Sequence, residues 1–86
     1  MALRRYWFTF DVTFHSPYIA LLQGCGVTAY SIEEAEELIQ SDLLKNLAMP
    51  PVKLVIEDVD VSTLDKNHVL PNMGNTLRRG IWFPKL

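Results

Sequence analysis

The chain has one cysteine, four glycines and no apolar run near the ~20 residues of a membrane span. A lone cysteine cannot close an internal disulfide, so the fold does not rest on covalent staples, and a reducing cytoplasm is the expected home. No secretion signal is expected, because Arg4 and Arg5 run straight into an alternating segment and not into an apolar block. Motifs of fixed chemical meaning are missing too: HExxH, paired CxxC, an EF-hand loop and the phosphate-cradling GxxxxGK. Their absence leaves no ready-made metal or nucleotide site, and no cofactor is expected. Residues 66–86 contain no acid.

What is present describes one small domain over 1–86. With 49% hydrophobic and 21% charged residues the balance is globular, which excludes disorder and low complexity. A chain of 86 residues hides only about 60% of its unfolded surface, so a partner subunit would help its stability. The net charge of −2 conceals a division. Residues 31–65 hold nine acids against Lys45 and Lys53, whereas 66–86 carry only Lys66, Arg78, Arg79 and Lys85. Such a chain can neutralise itself by folding end against middle or by pairing with a second copy. An acidic whole without a basic stripe argues against nucleic acid as a partner.

Five elements can be read. Tyr6, Phe8, Phe10, Val12 and Phe14 alternate with Trp7, Thr9, Asp11 and Thr13, which predicts a strand over 4–14 with an aromatic core face. Residues 19–30 predict a second, less regular strand. In it Gly24 and Gly26 flank Cys25 and suggest a bulge, a bend or backbone packed close to something. Ser31 and Glu34 form a capping box, with the Glu34 carboxylate expected on the Ser31 amide. Ile32, Ala35, Leu38, Ile39, Leu43 and Leu47 then make one helical stripe, stopped by Pro50-Pro51. A third strand is expected over 52–62, with Val55, Val59 and Val61 on one face and Val52, Leu54 and Ile56 on the other. Residues 64–75 read as a loop, and 80–83 as a short last strand. The expected fold is α+β: a mainly antiparallel four-stranded sheet with one amphipathic helix on one face, in the order β-β-α-β-β.

One helix covers one side of such a sheet. The other side, carrying Trp7 and, by register, Trp82, Cys25 or Leu22, is expected either to form an interface or to lie under the 64–79 loop. Binding candidates are therefore Trp7 and Trp82, with Asn72 and Asn75 as polar donors and Arg78 and Arg79 as anion clamps. Asp58 and Asp60, two apart on an expected strand, would share a face with Asp65 and His68 just beyond. That cluster could hold a divalent cation through oxygen or supply an acid and a base. The competing expectation pairs Asp58 and Asp60 with Arg4, Arg5, Arg78 or Arg79 across strands. Cys25 could act as a nucleophile only with a base beside it; in an apolar strand it is a small buried hydrophobe.

The segments GCGVTAYSIEEAEELI, VIEDVDVSTLD and HVLPNMG with RGIWFP resemble small bacterial proteins carried on mobile elements such as integron gene cassettes. The resemblance implies no assigned activity and supplies no catalytic residues. The expectation is a homo-oligomeric binding or interaction protein, using a sheet face or the 64–79 loop toward a protein partner or small ligand. The alternatives are a small hydrolase or isomerase using the Asp/His cluster, and an acidic immunity or antitoxin-type protein.

Overall fold

Four antiparallel strands and one helix make up the architecture of the computed structural model, which describes residues 2–11, 21–45 and 47–84. The strands are β1 (Arg4–Phe10), β2 (Cys25–Ala29), β3 (Val52–Glu57) and β4 (Gly80–Phe83), and α1 (Ile32–Leu38) lies between β2 and β3. The sheet order is β3-β1-β2-β4, so the aromatic first strand is central and β3 and β4 are edges. The α+β sandwich and the element order agree with the sequence pattern. β1 stops at Phe10, and Val12 and Phe14 lie outside the described residues.

The helix begins as its sequence dictates. Ser31 Oγ accepts from the Glu34 amide at 3.1 Å, satisfying one of the helix's orphan donors. The reciprocal bond of the box differs from expectation, because Glu34 Oε1 accepts from the Tyr30 amide at 2.8 Å and not from Ser31. After Leu38 the coil widens into a π-helical stretch, Ile39–Leu44, closed by a bond of 2.7 Å from the Lys45 amide to the Gln40 carbonyl. The expected run to Leu47 is thus cut short. Lys45 takes φ 57°, and Gln40 Nε2 donates to the Lys45 and Leu47 carbonyls left over at the end. The wider turn also rephases the stripe: Leu44 is buried and Leu43 only half so. Leu47 is exposed.

One core lies between helix and sheet. Tyr6, Phe8 and Phe10 from β1, Cys25, Val27 and Ala29 from β2, and Ala35, Ile39 and Leu44 from the helix are all buried there. The period-two pattern of β1 is the reason, since it sends its even residues to this side and Trp7 to the other. Cys25 stands opposite Phe8 and therefore belongs to the helix side, not beside Trp7. Burial pushes its thiol up to about 12. A nucleophilic role is overturned by that placement, since desolvation keeps the sulfur neutral.

Candidate functional site

The second side of the sheet is covered as well. Trp7, Val59, Val69, Trp82 and Phe83 form a separate buried cluster, with Val61, Leu64 and Met73 packed against it. The two indoles lie 5.9 Å apart between ring centroids, and Trp7 stands 5.6 Å from Phe83. This answers the expectation of an open aromatic face: chain from Val59 onward folds back over it. Trp7 and Trp82 are 7% and 1% exposed, so neither lies open at the surface. Burial of such large rings outweighs the cost of the Trp82 Nε1 proton, which finds no acceptor among the described residues.

Asp58 is the hinge that makes the fold-back possible. It takes φ 54°, a left-handed conformation that asparagine and aspartate tolerate better than most residues. It thereby ends β3 at Glu57, five residues short of the expected Ser62. Val59 then donates to the Arg5 carbonyl at 3.1 Å and turns into the aromatic cluster, on the opposite side of the sheet from Val55. Arg4 grips the hinge: its Nε donates to Asp58 Oδ1 at 3.1 Å and its Nη1 stands 3.5 Å from Glu57. The guanidinium holds the Asp58 carboxyl below its ordinary range.

The same turn takes Asp58 and Asp60 off the common strand face expected for the Asp58/Asp60/Asp65/His68 cluster. Asp60 is not on a strand; Oδ1 accepts from the Ser62 amide at 3.0 Å and its hydroxyl at 2.7 Å, capping the short 3₁₀ turn Val61–Thr63. Asp65 Oδ1 accepts from the amides of Asn67 and His68, and Oδ2 meets His68 Nδ1 at 3.0 Å. Those bonds keep both Asp60 and Asp65 below the ordinary carboxylate range. An Asp–His pair can orient an imidazole for proton transfer, but it needs a third group to act on. The neighbouring hydroxyls are engaged elsewhere, Ser62 with Asp60 Oδ1 and Thr63 with the Asp60 carbonyl. Among the described residues no group of three or more His, Cys, Asp or Glu is placed to hold a metal ion.

The remaining candidates build the cover and not a pocket. Asn72 Nδ2 donates to the His68 carbonyl at 2.9 Å, and Asn75 Oδ1 accepts from the Leu77 amide at 2.8 Å, both tying turns within the loop. Arg79 reaches Glu34 at the helix start at 3.2 Å, so the basic end does meet the acidic middle, as the charge division allowed. Arg78 is exposed at the tip with Leu77.

One surface stands out that the candidate residues did not include. Along β3, Val52, Leu54 and Ile56 are 36%, 55% and 40% exposed. They sit on an edge strand, whose outer amides and carbonyls meet no neighbouring strand among the described residues. The alternation of Leu54 and Ile56 was readable in the sequence; that β3 would lie at the sheet's edge was not, nor that the irregularity at its start sets Val52 opposite Phe10, on the helix side. Among the described residues no helix is long and apolar enough to cross a membrane. No family model, no curated protein and no solved structure matches the chain.

Proposed function

We propose that the chain works by binding, as an interaction module that takes an extended polypeptide segment onto the outer edge of β3. The observation that carries this reading is the pair Leu54 and Ile56, exposed together on one face of an edge strand, with Val52 exposed at its start. Edge strands of soluble proteins are ordinarily short, charged or covered, because a long apolar edge invites pairing. Added strands draw affinity from main-chain hydrogen bonds and specificity from alternate side chains. Leu54 and Ile56 would be the anchors. The separate engagement of Asp58 with Arg4 and of Asp60 with Ser62, apart from the Asp65–His68 pair, favours binding over a hydrolase or isomerase, and the 64–79 loop serves as cover for the sheet through Leu64, Val69 and Met73, with Leu77 as the large apolar side chain it exposes. Residence in the cytoplasm and kinship with cassette-borne proteins belong to the same proposal.

Selection of random extended peptides against the sparsely immobilised chain tests it. Binders of alternating apolar pattern are expected, lost with Leu54→Lys or Ile56→Lys and retained with Leu77→Lys. A selection whose binders ignore Leu54 and Ile56, or that yields none, would overturn the reading.

A further inference from the structure

The geometry points to a second copy of this chain as the segment that adds to β3, in antiparallel register about Val55. This rests on the reading of β3 as the docking edge. The other edge is already engaged: β4 is only four residues long, and the Gly74 amide donates to its Trp82 carbonyl at 2.7 Å.

The register follows from backbone and charge together. Residues directly opposed in an antiparallel pair share a face, so a strand pairing with itself must oppose residues two, four or no places apart. Within β3 the axis can then fall on Leu54, Val55 or Ile56. The backbone fixes which pairs are hydrogen-bonded in each, and charge selects among them. Asp11 donates to the Pro51 carbonyl at 2.9 Å and the Arg5 carbonyl accepts from Val59, so the odd-numbered residues of β1 turn their polar groups toward β3. Trp7 and Thr9 stand opposite Ile56 and Leu54. By alternation, Val55 and Glu57 present their amides and carbonyls to the open edge.

About Val55, each copy's Val55 exchanges two backbone bonds with its counterpart. Leu54 lies opposite Ile56 of the copy, and Lys53 opposite Glu57 of the copy, at both ends of the pair. The other two axes bring Val55 opposite Lys53 or Glu57, and no opposite charges meet. The irregularity of β3 lies at its start, between the Thr9–Leu54 and Phe10–Val52 pairs, so that 54–57 are regular and Lys53 stands within it. Val55, half-buried against the helix-side core, would carry that core across the axis. Two four-stranded sheets thus become one continuous sheet. The pair is closed, because each copy spends its β3 edge on the other.

Light scattering and sedimentation of the whole chain across concentration test this. The mass should rise from 9.9 kDa toward twice that value. Lys53→Glu, at an exposed side chain with no ion pair among the described residues, sets like charges opposite at both ends and should weaken pairing about tenfold. Lys53→Glu with Glu57→Lys should restore it to within about threefold, and Leu54→Lys should abolish it. Circular dichroism and the thermal midpoint confirm that each variant is folded. A chain that stays monomeric overturns the proposal: if β3-dependent peptide binding persists, self-pairing alone falls, and if it too is missing, the docking edge falls with it. A dimer indifferent to Lys53→Glu, or one the double exchange does not restore, overturns the register.

Discussion

Gly26 shows how much one missing methyl group can decide. A Cβ built there would sit inside the Trp82 indole, closer than real Cβ atoms approach anything. At Gly24 it would meet Trp7, with the backbone at φ 105°. The two glycines let the indoles lie flat on the sheet, and β2 shifts register against β4 between Gly26 and Val27 as they do so. The sequence announced this as a bulge or a close approach without naming the partner. Gly26→Ala is expected to lose about 1–3 kcal/mol in urea unfolding, as overpacked cores do, with Trp82 forced to move. A variant as stable as the parent would mean that the indole yields freely. Cys25 between them needs no such room, since it points into the other core.

Among the elements, α1 was the most legible, because capping and stripe are local matters. Ser31→Ala should cost about 1 kcal/mol, measured by denaturant midpoint, since it strips the acceptor from the Glu34 amide. The Glu34 bond to Tyr30 would remain and keep the loss moderate. Which segments are helix or strand, and their order, could be read from periodicity and from Pro50-Pro51, whereas the π-helical widening at Ile39–Leu44 could not. The end of β3 could not. Its alternating valines continue past Glu57, and only the left-handed turn at Asp58, held by Arg4 from 54 positions away, diverts Val59 to the far side of the sheet. Long-range ion pairs leave no local mark, so Asp58, Asp60, Asp65 and His68 looked like one cluster when Asp58 braces Arg4, Asp60 caps a turn and Asp65 pairs with His68. The exposed edge was hidden for a related reason: alternation tells which residues share a face, while strand order decides which strand stands outermost.

At the scale of the whole molecule, the exposed ion pairs act on the same axis of pH. Asp58 with Arg4, Glu34 with Arg79, and the turn-capping Asp60 and Asp65 all have folded-state pKa values held below those of the free side chains. A depressed carboxyl binds its proton later in the folded state than in the unfolded one. Its contribution is complete above the free value, 3.8 for aspartate and 4.5 for glutamate, and is lost as pH falls through the folded value. Thermal midpoints measured from pH 7 downward should therefore hold level until about the ordinary carboxylate range and fall below it. Added salt should flatten that fall, because these pairs are exposed and screened. A midpoint that dropped well above that range would point to some other titrating group.

Both tryptophans of the chain lie on the same side of the sheet, in the cluster roofed by Val59–Met73, and the helix side has none. Tryptophan fluorescence, excited apart from tyrosine, is thus a private signal of that layer, while far-ultraviolet dichroism is weighted toward the helical segment 32–44. A chain built this way carries its own gauge of cooperativity. Coincident melting by the two signals would mean that roof and helix come off the sheet as one unit, and separated curves would mean that the roof lifts while the helix still holds.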